Sequence, residues 1–214
     1  MANNTWLRLQ RFLALCLLVT ILACCGNTAA KVSKDTIDSI ARICREGDIV
    51  LRKGVSMESH LIASADGQSS YTHCGIIARM GDSIVVVHAV PYEPDFDGDV
   101  DRVKAESLRS FFSEKRASGG CLLRCNASHK IARRSAQKAV ELFRRGTLFD
   151  HSFNCNDTTK MYCSELVEYV YLKNGITIIG TGQHNYNVPG LRLQNVIFPS
   201  DFLEAKRVRV VKRF

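Results

Sequence analysis

Three side chains in this sequence could together make a nucleophilic centre: Cys163, His73 and His88. Cys163 opens the stretch Cys163-Ser164-Glu165-Leu166, and Leu166, Val167, Val170 and Tyr171 follow at helical spacing until Asn174-Gly175 closes the run. A cysteine at the start of a helix meets unpaired N–H groups and the positive end of the helix dipole, which favour thiolate over thiol. A thiolate attacks a carbonyl carbon efficiently when a base handles its proton and a third group orients that base. Ser83 to Val90 alternates as a strand and places His88 on one face with Ile84, Val86 and Val90. His73 begins the preceding strand, and Met80-Gly81-Asp82 between them has turn chemistry. A hairpin there brings the two imidazoles into contact. Each residue also has a plainer reading. Cys163 alone fits a small buried side chain, and both histidines fit satisfied core residues.

The elements that must position these groups can be read from periodicity. Ser33 caps a helix through Cys44, and Gly47 follows its end. Asp48 to Arg52, His73 to Ala78, Ser83 to Val90 and Cys121 to Arg124 read as strands. Met57 to Ala65 is ambiguous. Pro91 to Asp101, with two prolines and four aspartates, is a surface loop, and Leu108 to Lys115 reads as a helix. Asn126 or Ser128 caps a long helix to Arg145, and a second strong helix runs from Cys163 to Lys173. Gly180 to Gly190 is loop, and Arg207 to Val210 an edge strand. Strands and helices are segregated rather than strictly alternating. The expected fold is therefore α+β, an antiparallel sheet packed against helices.

The 214 residues carry 29 basic and 21 acidic side chains, a net charge of +8 spread along the chain. Such dispersal suits a solvated surface, or one facing an anionic membrane or polymer, and nucleic acid is not an expected partner. Arg8 and Arg11 precede an apolar run of 14 residues, Phe12 to Cys25, shorter than the about 20 needed to span a bilayer. This is the pattern of a secretory signal. Its end, Ile21-Leu22-Ala23-Cys24, resembles a bacterial lipobox. The expected organisation is a signal peptide over 1–23, a tether over 24–32 with Cys24 lipidated, and one domain over 33–214. The alternatives are an ordinary cut after Ala30 and an uncleaved anchor. Loss of Cys16 with the signal and lipidation of Cys24 leave seven cysteines, so at least one thiol is unpaired. Cys121 and Cys125 lie roughly 13 Å apart along a strand, too far to bond to each other. No C-x-x-C spacing occurs, and no metal or cofactor is expected.

Gly47-Asp48-Ile49-Val50, Thr72-His73-Cys74-Gly75-Ile76-Ile77, Val87-His88-Ala89-Val90, Leu148-Phe149-Asp150 and Met161-Tyr162-Cys163-Ser164-Glu165-Leu166-Val167 occur in that order. Together they resemble the YiiX/YaeF-like permuted papain-like amidases, circularly permuted relatives of NlpC-type cell-wall peptidases, over roughly residues 45–173. The resemblance implies a papain-like fold, Cys163 as nucleophile and His73 as base. The third position falls on His88, where the family ordinarily has glutamate; lecithin:retinol acyltransferase-like relatives use histidine there. A neutral His88 brings no negative charge to stabilise an imidazolium at His73. Cys74 stands where valine is common, an apolar exchange of little expected consequence. Cys155 is an extra cysteine able to form a regulatory or adventitious disulfide. The oxyanion donors expected are the Cys163 N–H and one more, with Tyr162 and Tyr71 as candidates. Glu165 is expected to be a structural hydrogen-bonding residue. The implied activity is a monomeric cell-envelope cysteine hydrolase, held to the membrane by its lipid. Its substrate would be an amide in a peptidoglycan stem peptide or an N-acyl compound or lipid. The rivals are a lipid acyltransferase or thioesterase, and an inactive binding module of the same fold.

Overall fold

The computed structural model describes residues 31–67, 69–155, 157–180, 184–188 and 191–214. The signal segment and Cys24 lie outside the described residues. Ser33 accepts a hydrogen bond from the Thr36 N–H at 3.2 Å and starts helix α1, Lys34–Ile43. Strand β1, Ile49–Gly54, follows. The ambiguous stretch after it is a helix, α2, Met57–Asp66, capped by Ser56 and ended by Gly67 in the left-handed conformation. Strands β2, His73–Met80, and β3, Ser83–Val90, form the expected antiparallel hairpin.

The next strand, β4, Arg102–Glu106, is not apparent in the sequence reading, because it alternates charged residues with Val103 and Ala105. Its charges are paired rather than solvated. Arg102 Nε lies 2.9 Å from Asp99 Oδ1, and Lys104 Nζ 3.1 Å from Asp99 Oδ2, while Val103 is fully buried. Helix α3 is a single turn, Leu108–Phe111, shorter than the expected Leu108 to Lys115. Phe111 and Phe112 are both buried there, and two consecutive inward residues do not fit one stripe of a longer surface helix. Strand β5 runs Ala117–Cys125, helix α4 His129–Arg144 with Ser128 as its cap, and the two-residue strands β6, Leu148–Phe149, and β7, Lys160–Met161, pair in parallel. Helix α5 is Cys163–Leu172. The region expected as loop contains β8, His184–Val188, which pairs with β9, Leu191–Val196. Helix α6, Asp201–Glu204, and edge strand β10, Val208–Arg213, complete the chain.

The main sheet has the order β10-β5-β1-β2-β3-β4-β6-β7. Helices cover both faces, which explains why β1 to β3 are apolar in both alternating registers. Leu51, Cys74, Ile76, Val87 and Ala89 pack with Ala136, Ala139 and Val140 of α4 and Leu166, Val167 and Val170 of α5. On the other face Val50, Ile77, Val86 and Leu122 pack with Ile37 and Ile40 of α1 and Phe111 of α3. Each fully buried Val, Leu or Ile among them stabilises the fold by about 1.5–3 kcal/mol.

Two glycines hold the strands that matter for the site. Gly47 adopts φ +88°, and a Cβ there would lie 2.7 Å from Ala132 of α4; its carbonyl accepts from the Tyr171 hydroxyl at 2.5 Å. A Cβ on Gly75 would come within 2.6 Å of Val86 and 2.9 Å of the Val87 carbonyl, so glycine lets β2 approach β3 beside His88.

Candidate active site

Cys163 is the first residue of α5, preceded by an extended Tyr162. The residue is packed against β2, is 9% exposed and borders a cleft. The Ser164 hydroxyl sits between two sulfurs, 3.8 Å from Cys163 Sγ and 3.6 Å from Cys74 Sγ. The neighbouring Cys74 thiol is the leading reason that the Cys163 thiol is lowered, to about 7. Burial opposes this, and the N–H groups of Cys74 and Ser164 with the Ser164 hydroxyl reinforce it. The N–H of Ser164 at the helix start is the smallest of these contributions, so the neighbouring thiol rather than the helix end is the main cause of the lowering. Cys74 moves the other way: burial, and then Cys163 beside it, push its thiol well above the ordinary value. Cys74 is thus not the inert apolar exchange expected from the sequence.

The two imidazoles do meet. His73 Nε2 lies 2.8 Å from His88 Nδ1, with the rings edge to face at 5.0 Å. His88 Nε2 lies 3.0 Å from Glu106 Oε1 on the neighbouring strand, off the line of a good hydrogen bond, and neither of these two buried atoms bonds elsewhere. Glu106 therefore supplies the negative charge that His88 cannot. Arg116 binds the same carboxylate at 2.7 Å, and Ser110 donates a short hydrogen bond to it. Arg116 also reaches Glu93 at 3.3 Å, which pairs with Arg52 at 2.6 Å. Burial alone would raise Glu106, but His88, Ser110 and Arg116 bring its carboxyl down to about 2. Burial first, then Arg52, holds His73 well below the ordinary imidazole range. Burial also lowers His88, and Glu106 partly offsets it. His73 is therefore neutral at neutral pH.

The expected hydrogen bond between His73 and Cys163 is not made among the described residues. The reason is strand parity: consecutive residues leave a strand on opposite faces. Cys74 belongs to the core shared with α5, whereas the His73 ring rests 5.7 Å from Phe111 of the opposite cluster. His73 nonetheless starts β2 directly after Thr72, which lines the cleft that exposes Cys163.

That cleft, about 300 Å³ in volume, is walled by Leu61, Ile62 and Ala65 of α2, by Phe153, and by Val196 to Pro199. Its few polar lining groups are Ser64, Thr72, Tyr162 and Ser164, and none of the lining residues is a histidine. Met57 and Leu61 on α2 are exposed large apolar side chains, and Leu61 stands at the cleft itself. The Tyr162 hydroxyl accepts from the Ile197 N–H at 3.0 Å and lies 3.1 Å from Cys155 Sγ, so it pins one wall. Tyr71 is elsewhere, its hydroxyl 3.4 Å from Arg213 in a separate surface pocket. Glu165 accepts from the Tyr162 N–H at 3.3 Å, the structural contact expected of it, and burial raises its carboxyl to about 8. Asp150 accepts from the N–H groups of Ser152, at 2.9 Å, and Asn154, at 2.6 Å, shaping the turn that carries Phe153 and Cys155.

Residues 43–212 match the sequence profile described as the permuted papain-like amidase enzyme, YaeF/YiiX, C92 family. The chain belongs to this family. It is accordingly a cysteine peptidase/amidase-like hydrolase of permuted papain-like fold. A solved structure titled metalloprotein yiiX from Escherichia coli O157:H7 superposes with a TM-score of 0.64 at 21% identity. The match covers 79% of this chain and 97% of that one. No curated protein matches the sequence. Among the described residues, no group of three or more His, Cys, Asp or Glu side chains is arranged to hold a metal ion. Likewise, no helix among them is long and apolar enough to cross a membrane.

Proposed function

We propose that this amidase hydrolyses N-acyl amides whose acyl part is apolar, with Cys163 as the nucleophile. The observation carrying this reading is a thiol with an acidity near neutral pH on the wall of a cleft lined almost wholly by hydrocarbon. A polar peptidoglycan stem peptide would leave its own amides without partners there, at a desolvation cost of about 1–3 kcal/mol each. An acyl chain fits the same surface without that cost, and the exposed Met57 and Leu61 extend the apolar track outward. In the reaction the Cys163 thiolate attacks the amide carbon and the oxyanion forms beside the Cys163 N–H at the helix terminus. The C–N bond then breaks, the amine leaves with a proton, and water releases the acid from the thioester. His73 is the proton carrier we assign, oriented by His88 with Glu106 behind it. With Nε2 held by His88 it must bring its other ring nitrogen, Nδ1, toward the cleft, a rearrangement consistent with catalytic hydrogen bonds that tighten only when substrate binds. The lipobox-like end at Cys24 supports a lipid-anchored envelope location, which would keep the cleft near acylated substrates.

The test is a panel of N-acyl amides of increasing chain length beside stem peptides, offered to the full-length chain and to Cys163→Ala. Hydrolysis that rises with acyl length and vanishes in the variant is expected. Preference for the stem peptides would overturn the substrate assignment.

A further inference from the structure

Among the described residues six cysteines carry free thiols: Cys44, Cys74, Cys121, Cys125, Cys155 and Cys163. Their surroundings differ. Cys155, the extra cysteine that the sequence suggests for a disulfide, is turned to the Tyr162 hydroxyl at 3.1 Å and to the Asn195 carbonyl at 3.8 Å. Cys121 and Cys125 are buried along β5. Cys74 alone of the other five shares a bridging hydroxyl with Cys163: the Ser164 hydroxyl lies 3.6 Å from Cys74 Sγ and 3.8 Å from Cys163 Sγ.

Access to the two thiols is unequal. Cys163 borders the open cleft, whereas Cys74 is fully buried behind it. A small oxidant entering the cleft meets Cys163 first. Redox-sensing cysteines combine this exposure with thiolate character and a second thiol within reach.

We propose that Cys74 is a resolving thiol that captures oxidised Cys163 as a reversible Cys74–Cys163 disulfide, making this pair a modification site for hydroperoxides. In the first step the Cys163 thiolate attacks a hydroperoxide. The O–O bond breaks, the sulfur gives up two electrons and becomes a sulfenic acid, and hydroxide or alkoxide departs. In the second step the Cys74 sulfur attacks the sulfenic sulfur. An S–S bond forms, the S–O bond breaks, and water leaves carrying the Cys74 proton. An external dithiol returns both cysteines to thiols by exchange. The sulfurs must close from their places on either side of the Ser164 hydroxyl to about 2.05 Å, a movement between one strand and one helix terminus. The disulfide protects Cys163 from further, irreversible oxidation and silences it meanwhile. The inference requires only that Cys163 be a reactive thiol, so it stands or falls apart from the amidase substrate.

The experiment exposes the full-length chain to hydrogen peroxide, blocks remaining thiols with iodoacetamide under denaturing conditions, and maps the peptides by mass spectrometry. The expected product is a Cys74–Cys163 cross-link, with two hydrogens lost, that dithiothreitol reverses. In Cys74→Val, oxidised at a pH high enough to ionise its Cys163, that residue should instead gain two oxygens as sulfinic acid, and the thiol recovered by dithiothreitol should fall about tenfold. Cys155→Ala should leave the cross-link unchanged, and this arm remains decisive if Cys74→Val does not fold. A Cys163 that oxidises to sulfinic acid while Cys74 stays alkylatable, or that cross-links to Cys155, would overturn the proposal.

Discussion

The acidity of Cys163 sets a measurable rate. Lowering the thiol from 9.0 to about 7 takes it from about one per cent ionised at pH 7 to about half, a roughly fiftyfold gain in thiolate. The more acidic thiolate is also the weaker nucleophile; at a Brønsted slope of about 0.4–0.5 this costs about eightfold. Cys163 should therefore alkylate about sixfold faster than an ordinary exposed thiol at pH 7, less whatever the cleft excludes. The rate should rise with pH through a midpoint near 7 and level off above it. Cys74→Val removes the leading cause of the lowering while burial persists, so the midpoint should climb to the ordinary thiol range or above. The rate at pH 7 should then drop by about sixfold or more. The assay is iodoacetamide labelling of Cys163 between pH 5 and 10, read by peptide mass spectrometry. A midpoint at or above 9 in the parent chain would refute the role given to Cys74 and the helix terminus. A midpoint below about 5 would refute it differently, since thiols that acidic have a cationic partner and His73 would then be an imidazolium at the sulfur.

Glu106→Gln removes the charge behind His88 and should lower turnover by about 10²-fold, while His88→Glu would set two carboxylates side by side and should melt below His88→Ala; equal melting of the two His88 variants would place Glu106 outside the relay. Gly75→Ala should cost about 1–3 kcal/mol, because its Cβ would meet the Val87 carbonyl, and an unchanged melting temperature would contradict the close strand approach. Cys24→Ser with Cys25 intact should abolish labelling by fatty acid and shift the protein from membrane to soluble fractions; continued acylation would reassign the anchor.

The hairpin of β2 and β3 was legible because Ser83 to Val90 alternates and Gly81, at φ +60°, makes the turn between them. The long helices were legible from Ser128 as a cap and from Leu166, Val167 and Val170 at helical spacing. Contact between His73 and His88 followed from that hairpin. Glu106 did not follow, because Arg102 to Glu106 looks solvated until Asp99, His88 and Arg116 pair with its charges from other parts of the chain. The placement of Cys74 was written in the sequence but easily passed over. Parity along β2 puts Cys74, with Ile76 and Ala78, on the face toward α5 and turns His73 away. The cleft could not be read, since its walls come from α2, Phe153 and residues 196–199, which no periodicity links.

In the proposed reaction Cys163 carries the acyl group. The direct measurement is acid quench of the full-length chain during turnover of a long-chain N-acyl amide with a good leaving amine, followed by intact-mass and peptide analysis. One acyl adduct is expected, a thioester on Cys163, that forms within the first turnover and is absent from Cys163→Ala. An adduct on any other residue, or undiminished hydrolysis by Cys163→Ala, would contradict it.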